Sequence, residues 1–247
     1  MNTLYWVLLA LILGSVGSVA LASLMLLLKK KQLEILSQHL LYVAGGTLLG
    51  AVFMGMLPKS LSMLDAPTVL MTTLVGILLF FLLEKIILWR KCRNTQCNRQ
   101  LTAAAPIVLI GDAFHNAIDG IIIAAGFLTS NEMGVMVTVS VVLHEIPQEL
   151  ADFGILLKSG YSKRKALGYN LLSGATAIVT GVAAYFMLDQ MQEGIPYALA
   201  LSASSFLYIA LADLIPEMHR KTSLRASLTQ FVLILLGMFL IFINVHH

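Results

Sequence analysis

The sequence predicts an all-α integral membrane protein of eight transmembrane helices. Three observations carry that prediction: a mean hydropathy of +0.87, a charged fraction of only 12%, and apolar runs of helical length that recur along the chain. A water-soluble domain of 247 residues needs far more charge than this to cover its surface. Lipid is therefore the solvent for most of the chain. A helix of about 20 apolar residues crosses a hydrocarbon core of roughly 30 Å, whereas the strands of a barrel are shorter and alternate in polarity. The runs are residues 4–28, 36–57, 68–89, 106–127, 133–157, 166–188, 195–215 and 224–245, with no soluble domain between them, so residues 1–247 read as a single transmembrane domain.

Taken in order, the first run follows a short neutral start with no positive n-region and no small-residue cleavage site, so it is expected to be retained as a span. The second holds Gly46-x-x-x-Gly50, a spacing that serves either a homodimer face or packing within a bundle, and ends at Leu57-Pro58. Met54 and Met56 near that end are soft donors, although methionine in an apolar helix usually packs. The third closes with Glu84 and Lys85, whose long stem can snorkel to the headgroups. The loop after it carries Cys92 and Cys97, a weak zinc-knuckle spacing. The fourth and fifth runs hold most of the buried polarity. After the sixth, the seventh ends in Asp213, Pro216, Glu217 and His219, and the eighth completes the set. His39, His246 and His247 read as solvated.

Fourteen of the 16 Lys and Arg residues fall in alternate loops, after the first, third, fifth and seventh runs. In short loops that bias marks the cytoplasmic side, and an even number of spans then places both termini outside. The net charge of +3 follows from this topology and gives no reason to expect nucleic acid as a partner. The expected location is a plasma membrane, the inner membrane in a bacterial cell. Sliding the chain by 158 residues sets Gly45–Lys59 beside Ala203–Glu217 and aligns Pro58 with Pro216. Such an echo fits an inverted repeat, common in secondary transporters, and equally a chance recurrence of small residues and proline.

The chemistry is concentrated in two adjacent runs. The fourth contains Asp112, His115, Asn116 and Asp119, and the fifth contains His144, Glu145, Gln148, Glu149 and Asp152. A charged group in a bilayer core costs roughly 2.5–3.5 kcal/mol even on lenient scales, so it persists mainly when paired, metal-bound or lining water. On a helix His115 and Asp119 share a face, as do His144 with Gln148 and Glu145 with Glu149. Antiparallel neighbours can bring these stripes together near mid-membrane. Imidazole with carboxylate suits zinc, iron and related divalent ions, whereas an all-oxygen set suits magnesium or calcium. A hydrogen-bonded network that merely joins two helices needs far fewer such groups, and carboxylates this close repel unless a cation or protons intervene. Pro147 removes one backbone donor between the ligands, so a bend is expected there. Gly120 permits close approach of a neighbouring backbone.

The motif His115-Asn116-Ala117-Ile118-Asp119-Gly120, with His144-Glu145-Ile146-Pro147-Gln148-Glu149 and Asp152-Phe153, resembles the signature of the Zrt/Irt-like (ZIP) metal transporters. It is most similar to the subgroup with His-Glu-x-Pro-His-Glu in the fifth helix, and the likeness extends to Leu57-Pro58, Glu84-Lys85 and Tyr208–Glu217. The resemblance implies a 3+2+3 inverted-repeat bundle carrying zinc or a similar ion toward the cytoplasm, without a catalytic cofactor. It further implies two metal positions. His115, Asp119, His144 and Gln148 would form one; Asn116, Asp119, Glu145 and Gln148 with Glu149 would form the other, Asp119 bridging. Gln148 departs from the subgroup's His, Gly55 from a His common three residues before the proline, and Lys59 from the Glu after it. The loop of residues 90–105 lacks a His-rich tract.

Transport of zinc, with iron, manganese or cadmium as alternatives, is the function these residues predict. Asp112, Asp213 and Glu217 are secondary candidate ligands, the last two for an exit position. A metal-sensing or structural membrane protein is one rival. An intramembrane metalloprotease is another, since His144-Glu145 begins like His-Glu-x-x-His, but the second His is absent and proline interrupts the motif.

Overall fold

The computed structural model describes residues 3–92 and 100–246, with side chains described for 3–86 and 108–244. Among the described residues there are helices and no strands. Eight long helices run Thr3–Met25 (α1), Lys30–Leu61 (α2), Ala66–Cys92 (α3), Gln100–Thr129 (α4), Asn131–Lys158 (α5), Lys163–Gln190 (α6), Gln192–Met218 (α7) and Leu224–His246 (α8). All but α5 contain a stretch long and apolar enough to cross a membrane. α5 has the length, at 28 residues, but lacks the hydropathy because of the polar residues in its second half. Those side chains point inward: His144, Glu145, Glu149 and Asp152 are all buried. The polarity of α5 therefore reflects what it surrounds. Cys92 closes α3, and Cys97 lies outside the described residues.

Burial separates central helices from peripheral ones. Within the apolar windows, 61% of α2 and 56% of α7 is buried, against 17% of α3 and 11% of α8. The outer helices show lipid-compatible side chains such as Leu78, Phe81, Phe231 and Phe239 to their surroundings. Gly46 packs on the Ile234 carbonyl of α8, Gly50 on Ile241 and Met238, and Gly237 of α8 on Val43 and Thr47. The Gly46-x-x-x-Gly50 stripe is thus used inside the chain, which corrects its reading as a homodimer face.

Short turns fix the helices that matter for function. The Ser130 hydroxyl accepts from the Met133 N–H at 3.1 Å and so caps α5 immediately after α4 ends. At the other end of α5, the Tyr161 N–H reaches the Leu156 carbonyl and the Gly160 N–H that of Leu157, both at 3.1 Å. This helix-ending motif needs a left-handed residue, supplied by Gly160 at φ 89°. Ser162 then caps α6. α5 itself runs unbroken through Pro147.

Three helices include a π-helical stretch: Leu13–Gly17 in α1, Ala51–Met56 in α2 and Ile209–Leu214 in α7. Such stretches are rare and frequent at functional sites. In α2 and α7 each leads straight into a Leu57-Pro58 or Ile215-Pro216 step, where proline cannot donate the ordinary bond to the preceding turn. The offset of 158 residues that aligns the two prolines also carries one π stretch onto the other.

Candidate metal centre

α6 holds α4 in register through a row of hydroxyl groups. Ser173 donates to the Leu109 carbonyl at 3.4 Å, Thr176 to Ala113 at 2.7 Å and Thr180 to Ala117 at 2.7 Å. The accepting carbonyls are one turn apart, so three successive turns of α4 are tied to one neighbour. Gly120 permits this approach, because a side chain there would meet the Ala177 carbonyl of α6. The adjacent face of α4 is left to meet α5.

On that face His115, Asp119, His144 and Glu145 converge. The two imidazole Nε2 atoms stand 3.2 Å apart. Asp119 Oδ2 lies 3.1 Å from His144 Nε2 and 3.7 Å from His115 Nε2; Glu145 Oε1 lies 3.3 Å from His115 Nε2 and 3.9 Å from His144 Nε2. Donors held about 2.0–2.2 Å from one tetrahedral zinc ion stand about 3.3–3.6 Å from each other. The spacing is therefore that of a single ion's ligand shell. His144 Nδ1 donates to the Ser140 carbonyl at 2.8 Å, since a carbonyl only accepts, which leaves Nε2 of the neutral ring with its lone pair toward the cluster. Its ring also packs edge-on against Phe206 of α7 at 5.8 Å. The Asp119, His144 and Glu145 side chains are at most 1% exposed, and His115, at 19%, is the accessible member.

A second group of ligand atoms adjoins the first: Asp112, Glu145 and Glu149. Glu145 belongs to both, whereas the sequence assigned the shared role to Asp119. The Asn116 and Gln148 amides each donate to Asp112 Oδ1 at 3.1 Å. Both thus support Asp112 in this ion-free arrangement, with their own oxygens still available. Among the described residues, the buried side-chain nitrogen and oxygen atoms without a hydrogen-bond partner belong to Asp112, Asp119, Glu145, Glu149 and Asn170 alone. Every one lies in this interior, and a buried unpaired carboxylate costs several kcal/mol unless a cation meets it. Asn170, a fully buried residue of α6, was not singled out from sequence; its only signal there is an amide within an apolar run.

A cavity of about 520 Å³ leads from His144, Pro147 and Gln148 along Ala151, Asp213, Pro216 and Glu217 to Arg220. The π stretch of α7 contributes Ile209, Ala212, Asp213 and Leu214 to its wall. Toward the opposite membrane face, Val7, Leu48, Val52, Met56, Met133 and Met136 pack into the apolar core. Met56 is fully buried packing. Glu217 pairs with Arg220 at 3.0 Å. Glu84 accepts a hydrogen bond from Tyr208 and so joins α3 to α7, while Lys85 lies over the Phe81 ring at 5.5 Å. His39 and His219 lie away from the cluster, His39 beside Tyr42.

Comparison with known proteins agrees with this geometry. Zinc transporter foi of Drosophila melanogaster is 38% identical over 138 residues, 56% of this chain and 19% of that protein. Zinc transporter ZIP10 of Danio rerio is 37% identical over 141 residues, 56% of this chain and 17% of that protein. Zinc transporter ZIP13 of Pongo abelii is 29% identical over 217 residues, 81% of this chain and 64% of that protein. The chain thus covers less than a fifth of the first two relatives. Residues 89–244, which take in both ligand-bearing helices, match the family model described as ZIP zinc transporter. On that match this multi-pass membrane chain belongs to the ZIP zinc transporter family.

Proposed function

We propose that the protein moves divalent transition-metal ions across a plasma membrane toward the cytoplasm, zinc foremost and iron, manganese or cadmium as further cargo. The path runs through a two-ion centre between α4 and α5. The observation that carries this is the convergence of His115, Asp119, His144 and Glu145 at ligand-shell spacing in a buried site that touches an open cavity. The zinc transporter names of the relatives support the cargo. His115, Asp119, His144 and Glu145 form the first position, with Gln148 at its cavity edge. Asp112, Glu145 and Glu149 form the second, where Asn116 and Gln148 orient the carboxylates.

The chain's own groups suggest the steps. An arriving ion exchanges water for the two imidazoles and the Asp119 and Glu145 carboxylates, whose charges it neutralises. Release follows into the cavity, past Asp213 and Glu217, on the side bearing Arg220. By the distribution of basic residues that side is the cytoplasm, and both termini then lie outside. Protons compete for the same donors, so acid favours release. The matching π stretches of α2 and α7 support an inverted repeat, in which one part of the bundle shifts against another about a fixed site. The protease reading lacks a second motif histidine, and its relatives are named transporters.

Uptake into proteoliposomes of the purified protein, comparing zinc, cadmium, iron and manganese, tests this directly. Asp119→Ala is expected to abolish uptake of every metal the wild type carries. If the wild type binds metal but moves none, the sensor reading replaces transport.

A further inference from the structure

The two groups of ligand atoms differ in chemistry. The first mixes imidazole nitrogen with carboxylate, whereas Asp112, Glu145 and Glu149 offer oxygen alone. Their surroundings differ as well. The cavity touches His144 and Gln148, but neither it nor the smaller cavity beside His115 reaches Asp112, Glu145 or Glu149, which are at most 4% exposed.

α6 closes this second group. Asn170 is fully buried, and its side chain faces the Glu149 carboxylate. Neither its amide nitrogen nor its oxygen has a hydrogen-bond partner, and neither Glu149 oxygen has one. One turn along the same face of α6, Gly174 comes close to the Asn116 oxygen, a side chain there standing 3.8 Å from it. The face of α6 that carries Asn170 is thus apposed to α4 at the level of the ligands. An unpartnered amide beside three unpaired carboxylates is an incomplete ligand shell, because an amide oxygen is an ordinary ligand for a hard cation and the amide nitrogen remains free to donate to a bound carboxylate.

We propose that Asp112, Glu145, Glu149 and Asn170 form an enclosed, oxygen-only site for a hard divalent cation of the manganese or magnesium type, which stays bound while softer cargo passes through the histidine-containing position. This deepens the two-ion reading and rests on it through the shared residue Glu145. A resident ion there holds Glu145 ionised and oriented toward His115, and it offsets the carboxylate charge that the cargo ion alone leaves uncompensated.

The test uses the full-length protein in nanodiscs with Mn2+ as probe, free Mn2+ being read by electron paramagnetic resonance and Zn2+ binding by calorimetry. Wild type is expected to bind one Mn2+ while loaded with zinc. Asn170→Ala weakens Mn2+ binding by about tenfold or more and changes zinc affinity by less than about twofold. Asn170→Asp, which returns an oxygen ligand, binds Mn2+ at least as tightly as wild type, an outcome that a purely structural role for Asn170 does not give. His144→Ala has the reverse pattern, losing zinc and keeping Mn2+. Unchanged Mn2+ affinity in Asn170→Ala, loss of Mn2+ in both Asn170 variants, or stoichiometric displacement of Mn2+ by zinc each overturns the proposal. Zinc retained by His144→Ala, with the Asn170 pattern intact, overturns the cargo assignment instead.

Discussion

At His144 a single backbone contact sets the chemistry of the side chain. The Ser140 carbonyl fixes the proton on Nδ1, so Nε2 is presented as a lone pair 3.1 Å from Asp119. At Gln148 the opposite holds: its amide donates to Asp112 and offers metal at best a neutral oxygen. Gln148→His supplies a nitrogen donor at the cavity edge, and we expect it to raise zinc affinity by about tenfold over manganese, measured by competition binding. Much of this residue-scale picture was legible in the sequence, because His, Asp and Glu inside an apolar run have few uses other than a site. What sequence did not supply was direction. The carboxylate shared by the two groups is Glu145 rather than Asp119, and Asn170 faces Glu149 from a third helix. Both depend on how far each helix is rotated about its axis, which periodicity leaves open to tens of degrees.

Among the helices, the row of hydroxyls from α6 to α4 determines whether the ligands arrive in register. Thr176→Val with Thr180→Val removes two interhelical bonds worth about 0.6 kcal/mol each in a membrane bundle. The expected result is a lower unfolding temperature and reduced transport with both ligand helices chemically intact. Gly120→Leu drives a side chain into the Ala177 carbonyl and is expected to abolish metal binding, measured by calorimetry. The cap of α3 gives a pH dependence of known sign. The Thr68 hydroxyl, at 2.7 Å, and then its backbone N–H, at 3.1 Å, hold the Asp65 carboxyl below the usual aspartate value. That cap is fully present above the unfolded-state value and is lost as pH falls through the depressed one. Asp65→Asn should therefore differ from wild type in thermal stability at about pH 6 and converge with it toward about pH 2. The helices themselves were readable from apolar length alone. Their partners were not: nothing in hydropathy pairs α2 with α8, and the π stretches have ordinary compositions, marked in sequence only by the prolines that follow two of them.

Taken whole, the molecule is open on one side of its centre and packed on the other. Ala151 and Ala212 lie on the cavity wall, whereas Ala51 and Val52 are fully buried in the apolar core. In a background with Cys92 and Cys97 replaced by serine, Ala151→Cys and Ala212→Cys should react with a membrane-impermeant maleimide from the side bearing Arg220, and Val52→Cys from neither side. Labelling of Ala151→Cys from the opposite side alone would reverse the assigned orientation. The pairing of α2 with α8 also bears on how the chain is made. The glycine groove of α2 leaves the ribosome early, yet Ile234, Gly237 and Ile241, which fill it, are among the latest residues translated of the eight helices. Through most of synthesis the nascent chain carries an open groove that other proteins in the membrane can occupy. A ribosome that stops before Leu224 would release a product with every metal ligand present and its central helix uncovered, a form that membrane quality control is expected to degrade.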